Sequence, residues 1–422
     1  MTWINRMISR FGPRAAGIND DNILTPQQKK NSRRLNFWYG GVQGMFFAAI
    51  CSFHTFLVLY LKSNGYSDFR IGLIMTLMSV IGVISPTLMG YIADFYIPVK
   101  VIVIVMMILS IPLAFFVQAS IAIFPLALIA ILLTGIAEKS MGSVIDSWGM
   151  RLRNKHPYLN YGATRGLGSL LYASMALIAG KLYDVAGLDK MFWLHAVVAA
   201  LCVIAALMLD NVKTSPRKVG QSSFFATVRE LLRIRKYTIF LVSMVLHGFS
   251  MVVIGTFQPI LIANHGGTSV HLGISSFMLA ASEVPIMFSA TKLLRRFKVE
   301  SLLTVSFTFA ALRLLLTVLA PTLELVIAVQ VLQALSFGLY LPALLFYVSL
   351  ITPDHAQSTA ITLATSIGFG LSGITGNFFG GILAENFGVE IVYYIFSFLA
   401  VCGLVIFRIS QRKPAQASGT RL

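Results

Sequence analysis

Glu138, Lys139 and Asp146 stand in a run of aliphatic and small residues, where a charge is expensive to keep. An ionised side chain facing hydrocarbon at the centre of a bilayer costs at least about 2.5–3.5 kcal/mol, so such groups must face a cavity or one another. At about 100° per residue, Gly135, Glu138, Lys139, Gly142, Ser143, Asp146 and Gly149 fall within an arc of about 140°. Lys139 and Asp146 are then nearly eclipsed on one polar, small-residue face. Further along, Arg165 opens an apolar stretch in Tyr161-Gly-Ala-Thr-Arg165-Gly-Leu-Gly168, and Glu283 and Arg313 lie inside two others. Desolvation makes a buried carboxylate hold its proton, a nearby guanidinium makes it release it, and the balance follows helix position. Arginine stays charged throughout and serves as the fixed partner. These residues therefore have the chemistry of proton coupling or of binding a polar solute. The plainer alternative is a set of static clamps between helices.

Gln43, Gln258, Gln333 and Asn377 are amides within apolar stretches that could bond a solute's hydroxyls, with Tyr340 beside them. Bonds between helices explain the amides equally well. His54 and His247 read as structural histidines. Gly368-Phe-Gly370-Leu-Ser-Gly373 matches a nucleotide-loop pattern but has no strand before it and continues into Gly376, Gly380 and Gly381, so it reads as a close helix contact. Cys51, Cys202 and Cys402 sit singly in apolar runs as packing residues. No metal-ligand cluster, cofactor motif or nucleophile with its base stands out, so neither a cofactor nor an enzymatic activity is expected.

The elements that must position these residues are membrane helices. Of 422 residues, 57% are hydrophobic and 12% charged, and the mean hydropathy is +0.80; such a chain needs lipid as solvent. With about 20 apolar residues required per crossing, the sequence reads as twelve spans, roughly 36–62, 70–95, 99–119, 122–150, 160–183, 190–209, 238–263, 272–293, 300–320, 323–350, 357–384 and 389–409. With both termini cytoplasmic, 26 of the 33 Lys and Arg residues fall on cytoplasmic segments, four on outside loops, and Lys139, Arg165 and Arg313 inside spans. That asymmetry is the positive-inside signature of a multi-pass cytoplasmic-membrane protein. It accounts for the net charge of +17 without nucleic acid.

Residues 1–35 are basic and lack a cleavable signal; Trp3, Ile4, Met7, Ile8 and Phe11 oppose Arg6, Arg10 and Arg14, as in a short interfacial helix, though a frayed tail is an equal alternative. The expected organisation is a cytoplasmic segment 1–35, a six-helix bundle 36–209, a basic loop 210–237, a second bundle 238–409 and a tail 410–422. The halves are related by a shift of 201 residues, which aligns Gly65–Gly72 with Gly266–Gly273 and Gly180–Gly187 with Gly381–Gly388. A parallel six-plus-six repeat implies a pseudo-two-fold axis along the membrane normal, a central cavity, and halves that can rock about it.

Gly90-Tyr-Ile-Ala-Asp94, followed by Lys100, resembles the signature loop of the major facilitator superfamily, with Phe95 at the usual arginine and Ile97 at the second glycine. The resemblance implies an all-α major facilitator fold and a gating role for this loop, carried by Asp94. Asp146 and Arg165 resemble the acid and arginine that the lactose-permease-like branch pairs between its fourth and fifth spans to bind sugar. Glu283 and Arg313 resemble the pair it places in its eighth and ninth spans. Where that branch carries His and Glu on its tenth span, this chain has Gln333, Ser336 and Tyr340. The resemblance implies a monomeric secondary transporter of a small polar solute, coupled to protons, with sugars or oligosaccharides ahead of nucleosides and aromatic acids. A proton-antiport exporter is the rival, disfavoured by the lack of proline in 160–183. A receptor or membrane-embedded enzyme on the same scaffold is the alternative of another class.

Overall fold

The computed structural model describes residues 26–211 and 224–411. The described residues contain helices α1 Pro26–Ser63, α2 Asp68–Phe95 and α3 Val99–Ser120, then α4 Phe124–Lys155, α5 Tyr161–Ala186, α6 Lys190–Leu207 and the short connecting helix α7 Phe224–Arg233. They continue with α8 Arg235–Asn264, α9 Ser269–Arg296, α10 Val299–Leu319, α11 Leu323–Ile351, α12 Thr359–Phe387 and α13 Val389–Gln411. Eleven of these are long and apolar enough to cross a membrane. The helix outside that set in the expected series is α5. It has 26 residues, ample for a bilayer, but its glycines, Thr164 and Arg165 dilute its hydropathy. The interfacial helix expected in residues 3–14 lies outside the described residues.

The chain forms two compact units. Of the described residues, the first holds 26–54, 84–179 and 189–211; the second holds 55–83, 180–188 and 224–411. In the first, Tyr39, Phe46, Met107, Met141, Ile145 and Trp148 centre a core. In the second, Phe240, Phe307, Tyr340, Tyr347 and Phe407 do so, with His247 stacked at 4.5 Å on Phe307.

The internal repeat is legible in the backbone. Adding 201 to the bounds of α2, residues 68 and 95, gives residues 269 and 296, the bounds of α9. The positive-φ residues among those described are Gly65 (80°), Gly187 (89°), Gly266 (71°) and Gly388 (87°), two pairs at that same shift. Each is a turn position at a helix end that a side chain would strain. The opposite ends of the same segments are close contacts within the second unit. A Cβ on Gly72 would lie 2.7 Å from the Gly381 Cα, and one on Gly180 would lie 3.0 Å from the Gly273 Cα.

Three helices change winding within the bilayer span. Residues Val253–Phe257 in α8 and Ala334–Gly338 in α11 form π-helical turns. Pro259 and Pro342 each follow such a turn; proline lacks the N–H that would bond four residues back, and the helix widens to compensate. In α12 the widened turn Ser366–Leu371 holds Gly368 and Gly370 in place of a proline.

Candidate functional site

Ionisable and amide side chains collect at three places. In the first unit, Gln43 on α1 donates its amide to Asp146 Oδ1 on α4 at 2.9 Å and to the Tyr39 hydroxyl at 2.9 Å. Tyr39 in turn donates to the Ile145 carbonyl at 2.9 Å. Tyr161, at the start of α5, hydrogen-bonds Asp146 through its hydroxyl. Arg165, one turn on, lies with its guanidinium carbon 4.3 Å from the centre of the Phe47 ring and reaches Ser169 Oγ at 3.5 Å. The direct Asp146–Arg165 ion pair expected from the resemblance is absent among the described residues. Both charges instead act on Tyr39 and Tyr161. An acid, an arginine on an aromatic face, an amide and two phenols make a site suited to a hydroxyl-rich solute: the acid and amide accept, the guanidinium donates, and the rings supply a flat apolar surface.

The second place lies deeper in the first unit. Glu138, with a fully buried side chain, faces His54 Nε2 at 2.6 Å and His195 Nε2 at 3.0 Å. Lys139, its neighbour, is exposed. The winding is interrupted at Ser140, between segments Phe124–Lys139 and Met141–Lys155, and both acids face α1, where Glu138 meets His54 and Asp146 meets Gln43; α6 completes the first set with His195 and α5 the second with Tyr161. His195 went unnoticed in the sequence because a single histidine in an apolar run has no periodic signature.

The third place is in the second unit. Gln333 on α11 donates its amide to Glu283 Oε1 on α9 at 2.7 Å, and its carbonyl oxygen accepts from Arg313 on α10. The amide thus joins the acid and the arginine with its two ends. A 3₁₀ turn, Val329–Leu332, and the π turn Ala334–Gly338 flank Gln333, so tight winding followed by wide winding sets its direction. Arg313 is completely buried, and its Nε and Nη2 lack hydrogen-bond partners, as do the hydroxyls of Tyr340 and Tyr393. His247 was expected to be satisfied; both of its nitrogens are unpartnered, because its neighbours Phe307 and Tyr340 present ring faces. Buried polar groups without partners are costly, and here they cluster around one fixed cation.

Two of the candidate amides are spent on the fold. Gln258 donates to Ser275 Oγ at 2.6 Å. Asn377 accepts from Thr256 at 2.6 Å and donates to the Gly373 carbonyl at 2.7 Å and to Ser79 Oγ at 3.2 Å. In the signature loop, Asp94 meets Arg151 at 2.5 Å, joining α2 to the end of α4. Lys100 donates to the carbonyls of Leu207 and Leu209 at 2.9 and 2.6 Å, closing the C-terminus of α6. A Cβ on Gly90 would meet open space, so no packing contact requires glycine there.

Apolar helices in a 201-residue repeat, carrying sets of acid, arginine and amide side chains within their spans, define a multi-pass membrane transporter of the major facilitator type. The chain belongs to the MFS_1 like family, whose model matches residues 37–395. It is 28% identical over 376 residues to the maltose permease of Geobacillus stearothermophilus, covering 88% of this chain and 94% of that one. A crystal structure of a point mutant of the nucleoside transporter NupG has the same fold, with a TM-score of 0.78 at 16% identity, covering 90% of this chain and all of that one. A crystal structure of a D-xylose-proton symporter superposes with a TM-score of 0.65 at 14% identity, covering 89% and 97%.

Proposed function

We propose that this chain is a monomeric proton-coupled uptake symporter of the cytoplasmic membrane. Its solute is a small sugar or oligosaccharide, with both termini cytoplasmic and with bundles 36–209 and 238–409 alternating access about a central site. The observation that carries this reading is the Glu283–Gln333–Arg313 bridge. It is a half-buried acid tied through a neutral amide to a buried permanent cation, the kind of charged set that marks a solute or ion pathway among apolar helices. Asp146, Arg165, Gln43 and Tyr161 form the complementary solute-facing set. The likeness to a maltose permease supports a sugar over a nucleoside.

The glycine contacts Gly72–Gly381 and Gly180–Gly273 fit a gate on the outer side, and the Asp94–Arg151 pair with Lys100 fits the inner one. The test is uptake of labelled maltose and labelled uridine into proteoliposomes under an imposed pH gradient. Accumulation of maltose that collapses with a protonophore is expected. Maltose flux indifferent to the gradient would replace symport by facilitated diffusion, and gradient-driven uptake of uridine alone would move the solute class to nucleosides.

A further inference from the structure

Glu138, His54 and His195 reach one point from three helices, and their side chains are 0%, 9% and 0% exposed. The solute-facing residues described above do not include the two histidines. The contacts of His195 show where an added proton would sit. Its Nδ1 faces the Ala49 carbonyl at 3.3 Å, an oxygen that only accepts. Its Nε2 faces Glu138 Oε1 at 3.0 Å and Ser110 Oγ at 3.2 Å. The Ser110 hydroxyl, 2.9 Å from the Met107 carbonyl, donates to that nitrogen or accepts from it according to the tautomer.

A neutral imidazole has one N–H. With it on Nε2, the Nδ1 lone pair faces a carbonyl; with it on Nδ1, the Nε2 lone pair faces a carboxylate. One additional proton, on either the ring or the acid, bridges both contacts. On the other side His54 Nε2 lies 2.6 Å from Glu138 Oε2. The groups that face this point are Ser52 and His54 on α1, Ser110 on α3, Glu138 with the adjacent Lys139 on α4, and His195 on α6. Lys139 is the other charge that interacts with Glu138 and His54.

We infer that the His54–Glu138–His195 cluster is the binding site of the transported proton. Loading is a single proton transfer: water on one side of the membrane gives H⁺ to the His195–Glu138 pair, no other bond forms or breaks, and the three-residue cluster passes from a net charge of −1 to neutrality. Release returns that proton to the other side. Neutrality matters because an unbalanced charge sealed among apolar helices is costly, so the loaded cluster favours the closed core and the empty one favours hydration. Substrate binding stays with the residues around Asp146 and Arg313, which separates the coupling ion from the solute. The inference builds on the symport reading above.

The experiment uses the full chain in proteoliposomes with labelled maltose, reading counterflow, which needs no proton movement, against accumulation driven by a pH gradient. Glu138→Gln and His195→Asn are expected to keep counterflow within about threefold of wild type and to lose at least about tenfold of the driven accumulation. Variants that accumulate like a coupled wild type would overturn the cluster as the proton site while leaving symport intact. Variants that lose counterflow as well would make it a structural clamp. A wild type that ignores the gradient removes the symport reading and this site with it. An independent arm is nitrogen NMR of histidine-labelled wild-type protein in nanodiscs, which decides the question if the variants fail to insert or maltose gives no flux. A His195 resonance with both nitrogens protonated at neutral pH, which titrates to a single neutral tautomer on alkalinisation, supports the inference. One unchanging neutral tautomer across the accessible pH range overturns it.

Discussion

Gly72 on α2 and Gly381 on α12 approach so closely that a methyl group on Gly72 would fall 2.6 Å from the Asn377 carbonyl oxygen and 2.7 Å from the Gly381 Cα. The symmetry-related contact, Gly180 with Gly273, is nearly as tight. Backbone cannot yield as a flexible side chain would, so a substituent here must push whole helices apart. Overpacking of this kind costs about 1–3 kcal/mol. Gly72→Leu and Gly180→Leu are each expected to insert, to lower the thermal midpoint of the purified protein by several degrees, and to reduce maltose counterflow at least about tenfold. Wild-type counterflow in both would show that these contacts take no part in the transport cycle.

Gln333 is the joint between an acid and a buried arginine. Gln333→Leu removes both bonds and leaves Arg313 buried with its remaining donors already unpartnered, a change of the kind that costs about 3–5 kcal/mol. It is expected to abolish accumulation and to lower the thermal midpoint more than any other single variant named here. Size-exclusion melting of a fluorescent fusion measures this directly, and an unshifted midpoint would mean that the bridge carries little energy.

The two arginines of the site differ in burial, and so should their variants. Arg313 is completely buried, whereas Arg165 is half-buried against Phe47. Arg165→Ala is expected to abolish accumulation with the fold intact, losing a cation–π contact of about 0.5–1 kcal/mol at a partly exposed position. Arg313→Ala is expected to abolish accumulation and also to destabilise. Melting curves of the two side by side check the contrast; equal melting would remove the distinction.

At the signature loop, Lys100 closes two carbonyls at the end of α6, whereas the Asp94–Arg151 pair joins side chains that are 46% and 19% exposed. Solvent-exposed pairs contribute about 0–1 kcal/mol, and a charged hydrogen bond to otherwise unpaired carbonyls about 1.5–3 kcal/mol. Lys100→Met should therefore lower the thermal midpoint more than Asp94→Asn, while Asp94→Asn should show its main effect on transport rate. Stopped-flow counterflow and calorimetry on the same preparations test both halves of the statement.

The twelve helices, their ends to within a few residues for most, and the 201-residue repeat were legible in the linear chain. Apolar run length has to match the bilayer, and glycine at a positive-φ turn or a backbone crossing has no substitute. For the same reason Gly65, Gly187, Gly266 and Gly388, picked out by spacing alone, all turned out to be positive-φ residues. Ionisable residues inside spans were equally visible, because their cost makes them conspicuous in any apolar run.

Which of those residues meet was decided by the tertiary structure. Glu138 goes to His54 and His195 and Asp146 to Gln43 and Tyr161, so two acids on one face of α4 join separate sets. Gln333 became a bridge because its helix winds tightly before it and widely after it. Helical periodicity describes one ideal helix at a time, whereas pairing depends on winding defects and on which faces of three helices converge. The sequence by itself therefore determined that this protein crosses a membrane as a duplicated bundle carrying buried charges; only the packing of α1, α4 and α6 made two isolated histidines and one glutamate into a proton-sized site.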